Sequence, residues 1–159
     1  MDRPRAVIRL VAAVVVFVVL VAACDSAAPP ATPASPAPVT LDGTSWVVDS
    51  AAGRIAPAPR GPGAERATLS FSVDRITGFS GCNGFGGSYR YDPTSGQFQV
   101  RELASTLVGC LDNAVGVFES SYTMALSSAV ALTLDANGRL HLGGPAGEVI
   151  LERAGPAAD

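Results

Sequence analysis

Lysine is missing from the 159 residues: all 11 basic side chains are arginine, set against 14 acidic ones for a net charge of −3. The arginines are scattered along the chain. No basic cluster exists to neutralise a phosphate backbone or an anionic lipid surface, which argues against nucleic acid and against electrostatic membrane docking. Without lysine the glycine-rich stretch 78–87 cannot end as a phosphate-binding Gly-Lys-Ser/Thr loop, and tight turns explain its glycines better. Histidine is reduced to His141, too little for an imidazole-based metal centre. Aromatic residues make up 6% of the chain, with one tryptophan, and cysteine is down to three. Long apolar runs are absent everywhere except near the start.

That one run carries the most specific signal in the chain. Arg3, Arg5 and Arg9 precede an apolar stretch from Leu10 to Val21, which ends in Val21-Ala22-Ala23-Cys24. Small residues ahead of the cut and a cysteine behind it resemble the lipobox of bacterial lipoproteins, where the thiol is acylated and becomes the new N-terminus. An uncleaved transmembrane helix is the alternative, since the run is nearly long enough to span a bilayer. Paired alanines before the cysteine and a Pro/Ala-rich stretch after it favour cleavage. Residues 1–23 are therefore expected to be a signal peptide. Residues 24–39, opening on a lipidated Cys24, are expected to form a disordered spacer. One acyl chain holds a protein only marginally, so the anchor needs two or more. The expected location is the extracytoplasmic face of the cell membrane. Cleavage removes Arg3, Arg5, Arg9 and Asp2, leaving 8 basic against 13 acidic residues, or −5.

With Cys24 assigned to lipid, Cys82 and Cys110 remain, and two thiols in one small extracytoplasmic domain usually pair. A bridge between positions 28 apart is worth on the order of 3–4 kcal/mol in the chain-entropy model. A reactive thiol or a metal site are the alternatives. The second lacks further ligands in the sequence, so no metal and no cofactor are expected.

Downstream, the patterning is mostly of period two. Leu41-Asp42-Gly43-Thr44-Ser45-Trp46 opens with a turn and a strand, and the proline-rich segment 50–64 reads as a loop. Ala67 to Val73 alternates strictly, placing Leu69, Phe71 and Val73 on one buried face. Asp74-Arg75 reads as a turn, and 76–80 as the returning strand. Gly81 to Gly87 reads as a loop, followed by a hairpin of 88–91 with 97–103. From Asp112, a capping residue, the period changes: Val115, Phe118, Tyr122, Ala125 and Ala129 recur at helical spacing. Strands at 131–134, 139–142 and 148–151 complete an antiparallel sheet of about seven strands with one α-helix, an α+β single domain. The folded domain is expected over 40–154, and residues 155–159 as a disordered tail.

Four stretches together resemble the META domain (HslJ-like) family. They are Leu41 to Trp46; Gly78-Phe79-Ser80-Gly81-Cys82-Asn83-Gly84-Phe85-Gly86-Gly87-Ser88-Tyr89; Ala104-Ser105-Thr106 through Gly109-Cys110; and Phe118-Glu119 through Tyr122 with Ala125-Leu126. The family pattern often has Arg where this chain has Gly84, and Met-Ala where it has Val108-Gly109. The resemblance implies a curved antiparallel sheet partly closed around a helix. It also implies an extracytoplasmic, often lipidated protein tied to stress response or antibiotic tolerance. The fold is similar to that of certain secretin pilot lipoproteins, which bind a lipid and a protein partner.

Catalytic patterns are weak. Cys82, Asn83 and His141 have the residue types of a thiol enzyme, but strand alternation turns His141, between Leu140 and Leu142, away from the core. Glu102 and Glu119 read as solvated side chains, since no spacing pairs them as an acid and base. No catalytic residue is assigned. Asn83, Gly84, Phe85, Gly86 and Gly87 are the candidate partner-binding residues, with Phe85 as an exposed anchor in a flexible loop. The expected function is a non-catalytic binding or structural module of the cell envelope, tethered by lipid and meeting an envelope protein. The alternatives are a carrier of an apolar ligand between sheet and helix, in a cavity lined by Phe71, Phe118 and Leu134, and a thiol-dependent enzyme.

Overall fold

The opening turn shows how this sequence starts its sheet. Gly43 takes φ +72°, letting the Thr44 N–H return to the Leu41 carbonyl at 3.0 Å. The Asp42 carboxylate accepts from the Val73 N–H at 2.6 Å, and the Trp46 indole donates to Thr44 Oγ1 at 2.8 Å. The structure, a computed structural model, describes residues 39–60 and 64–154. The expected signal peptide, lipidated Cys24, spacer up to residue 38 and tail 155–159 lie outside those residues.

Among the described residues there are nine strands and one helix. They are β1 (Thr44–Ala51), β2 (Arg54–Ile55), β3 (Thr68–Ser72), β4 (Arg75–Phe79), β5 (Gly84–Tyr91), β6 (Phe98–Ser105), α1 (Asn113–Ser127), β7 (Ala131–Leu134), β8 (Leu140–Gly144) and β9 (Gly147–Arg153). Every pairing is antiparallel, in the order β6-β5-β4-β3-β1-β9-β8-β7, with β2 attached to β1. Near one end the two outer strands meet. Phe98 N–H bonds to the Val130 carbonyl and Leu132 N–H to the Gly96 carbonyl, at 3.0 and 2.8 Å. The sheet thus curls into a half-barrel, and α1 fills its open side. No helix among the described residues is long and apolar enough to cross a membrane.

The core follows the alternation of the strands. Trp46 and Val48 of β1 are buried, and a bulge between Val48 and Ser50 resets the register so that Ala51 is buried as well. Leu69 and Phe71 face inward as their spacing demands. Val73 does not: it sits in the two-residue turn between β3 and β4, with φ +33° and 79% exposure. The turn is therefore Val73-Asp74 rather than Asp74-Arg75. The segment expected to be a loop from residue 50 begins as a short hairpin, turned by Ala52 and Gly53, both at positive φ. Helix α1 is capped by Asp112, which accepts from the Ala114 N–H, and buries Phe118, Tyr122, Ala125 and Leu126.

Candidate functional site: a cleft framed by the disulfide

The largest departure from the sequence reading is at Gly84–Gly87, which belong to β5 rather than to a loop. Phe85, expected as an exposed anchor, is 7% exposed. Its cross-strand partner is Gly78, and the ring occupies the space a side chain there would fill. On its other side it packs edge-on against Tyr122, with centroids 5.4 Å apart. The Tyr122 hydroxyl donates to the Thr68 carbonyl at 3.0 Å, and burial pushes its pKa well up, so it stays protonated. Gly87 is bare because a side chain would press on the Arg101 carbonyl. Phe85 is core, and the glycines beside it let strands approach.

Asn83 is also turned inward, at 4% exposure. Its Oδ1 accepts from the Val108 N–H at 2.7 Å and from Thr106 Oγ1 at 2.8 Å. Its Nδ2 donates to the Val108 carbonyl at 3.0 Å and to Glu119 Oε2 at 3.1 Å. Those four bonds use the full capacity of the amide. Asn83 thereby serves as a strand partner for residues 106–108, the irregular connection that leads from β6 to α1. The fully buried Ser80 closes the turn before it, donating to Glu119 Oε1 at 2.7 Å and accepting from the Asn83 N–H at 2.9 Å.

The expected disulfide is present, joining Cys82 in that turn to Cys110 in the connection, with Cα atoms 5.7 Å apart. Glu119, expected as a solvated side chain, comes off α1 beneath it, with Oε2 3.2 Å from Cys110 Sγ. Among the described residues no basic side chain pairs with Glu119. Glu102 lies elsewhere, exposed at φ +54° in β6.

Above the bridge lies a cleft of about 320 Å³, whose lining includes Pro57, Pro59, Cys82, Val108, Leu111 and Val115. Two apolar side chains of its lining are uncovered, Val108 at 65% exposure and Leu111 fully exposed, and Leu107, next to Val108 in the chain, is 96% exposed. Arg60 and Asp112 meet at 3.6 Å, an exposed pair worth little to stability. Sequence reasoning missed these exposed side chains, although Thr106-Leu107-Val108 beside a cysteine offered the clue of apolar residues outside any periodic element.

His141 is not brought to Cys82. Its Nδ1 lies 3.1 Å from Glu148 Oε1 and its Nε2 3.3 Å from Asp135 Oδ2. Asp135 also accepts from the Arg139 backbone and side chain, both at 2.9 Å. Those bonds, the backbone one foremost, hold its carboxyl well below the usual range. The bonds of Asp135 to Arg139 and His141 tie the two ends of the turn between β7 and β8.

A match to the META domain model covers residues 39–154. The chain belongs to the META domain family. This META domain resembles a solved protein from Burkholderia xenovorans, with 26% identity over 81% of this chain and 98% of that one, at a TM-score of 0.55. A second solved protein shares 22% identity over 72% of this chain and 94% of that one, at a TM-score of 0.56, and supports the fold alone. No curated protein matches the chain.

Proposed function

We propose that this META domain protein is a non-catalytic binding or structural module of the cell envelope, cleaved before Cys24 and held on the extracytoplasmic face by lipid on that residue. The observation that carries the binding role is the exposure of Leu107, Val108 and Leu111 on the connection beside the cleft. Three apolar side chains this exposed are costly to leave in water and are normally covered by another molecule. They stand on a connection made rigid by the disulfide and by Asn83, so little ordering entropy is lost when a partner settles there. The chain enters the sheet where Thr44 pairs with Phe71, whereas the cleft lies beyond the opposite end of β3, past the pairing of Val47 with Thr68.

The carrier reading has less support. Phe71 packs edge-on against Tyr89 and Phe98, at 5.2 and 6.3 Å, and Phe118 lies against Tyr122 at 5.9 Å. Leu134 is 39% exposed. Of the three residues that would line a ligand cavity, Phe71 and Phe118 are packed against other aromatic rings and Leu134 lies at the surface. The link to stress response or antibiotic tolerance is part of the same proposal and rests on the family resemblance.

The test is a Leu107→Ser/Leu111→Ser chain, cross-linked in its own membrane. It should keep its melting temperature and lose the cross-linked species formed by the parent. Unchanged cross-linking refutes these side chains as the contact surface. A mature chain whose Cys24 is unmodified by intact-mass measurement refutes the tether.

A further inference from the structure

Glu119 supplies what the sequence lacked for a metal centre, a third donor beside the two cysteines. The sulfurs of Cys82 and Cys110 and a carboxylate oxygen of Glu119 all lie within 4.8 Å of one another. They arrive from three elements: the turn before β5, the connection after β6, and α1. The carboxylate has no cationic partner among the described residues, yet it is held in place from behind. Ser80 Oγ grips one oxygen at 2.7 Å and Asn83 Nδ2 the other at 3.1 Å. Donors that orient a carboxylate in this way are the outer-shell support that metal ligands characteristically have. A disulfide needs no carboxylate against its sulfur, whereas a cation bound there does.

We propose that, once the Cys82–Cys110 bridge is reduced, this site binds a thiophilic divalent cation, with Zn²⁺ as the chemical type, through Cys82, Cys110 and Glu119. The fourth position opens toward the cleft, which both cysteines line. The sulfurs of a tetrahedral zinc site stand roughly 3.8 Å apart when each Zn–S distance is about 2.3 Å. Side-chain rotation at two half-buried cysteines on irregular backbone can provide that separation. A dithiol reductant opens the bridge. Its two electrons break the S–S bond, it leaves as its own disulfide, and its two protons pass to Cys82 and Cys110. Binding of the cation then releases both thiol protons. Two thiolates and one carboxylate against Zn²⁺ leave the site with a single negative charge. Cation affinity is thereby conditional on redox state, and a bound cation protects the thiols from reoxidation.

The experiment uses the full mature chain and Co²⁺ as a spectroscopic probe. A Cys24→Ser version, which removes the third cysteine from the count, is run in parallel. The protein is reduced with a phosphine, freed of reductant under anaerobic conditions and titrated. Reduced protein should develop thiolate-to-cobalt charge-transfer bands and tetrahedral d–d bands at one Co²⁺ per chain, bleached by Zn²⁺. Oxidised protein should show neither. Glu119→Gln should weaken binding at least tenfold while the native near-UV dichroism persists. Absence of thiolate bands in the reduced protein overturns the proposal. So does equal affinity of the Glu119→Gln variant, and so does binding found only after the native dichroism has been lost.

Discussion

Truncating Phe85 to alanine distinguishes most sharply between a residue that faces a partner and one that holds the sheet to its helix. The ring is sandwiched between Gly78 and Tyr122, and neither side can move in to replace it. Gly78 has no side chain to extend, and it is bonded into a register shared by β3, β4 and β5. Tyr122 is fixed at its hydroxyl by the Thr68 carbonyl. A site that cannot collapse pays the transfer and the cavity terms in full, about 3–5 kcal/mol for Phe to Ala. At roughly 4 °C per kcal/mol for a domain of this size, the melting temperature should fall by ~12–20 °C. Thermal unfolding followed by far-UV dichroism and by urea titration checks the magnitude, with Leu107→Ser as a surface control that should barely move. A loss below about 1 kcal/mol for Phe85→Ala, the range of exposed positions, would refute the packing argument.

Val73 occupies a positive-φ turn position with its side chain in water, a conformation that costs a β-branched residue more than any contact returns. Val73→Gly should therefore stabilise by about 0.5–1 kcal/mol, and an unchanged or lower urea midpoint would count against the reasoning. Asp135 gives a pH signature. Its folded carboxyl is held below the ordinary value of 3.8, chiefly by the Arg139 backbone N–H. Its stabilising contribution is thus complete above that value and is lost as pH falls through the lower folded one. The stability gap between parent and Asp135→Asn should narrow as pH is lowered from 5 to 2, and a gap independent of pH in denaturant melts would contradict the assignment.

Where side chains alternate, the fold was legible. Leu69 and Phe71, and the helical recurrence of Phe118, Tyr122 and Ala125, face inward as their spacing requires. Glycine hid the rest. In β5 the inward positions are Phe85, Gly87 and Tyr89, a period of two in which the middle member has no side chain and the outward neighbours, Gly84 and Gly86, have none either. Such a strand lacks both propensity and pattern, and its pairing comes from neighbours that approach closely. The cysteine pair was legible because compartment and count suggest it. The place of Glu119 against that pair was not, because it depends on how α1 is docked, and a helical position next to Phe118 reads as solvated until the turn at Ser80 and Asn83 closes over it.

The pairing of β1 with β9 has a consequence for how the domain is made. Trp46, almost at the start of the fold, lies opposite Arg153, almost at its end, and the guanidinium sits 5.6 Å above the indole ring. An emerging chain can zip β3 through β6 by local hairpins, but β1 keeps one edge unpaired until the last strand has been delivered. If the polypeptide crosses a membrane before folding, the half-finished sheet stands with its central strand open, exposed to pairing with other chains. Completion is then a single late event at the carboxyl end, and deletions that reach β9 should be cleared by proteolysis rather than accumulate as smaller folded domains.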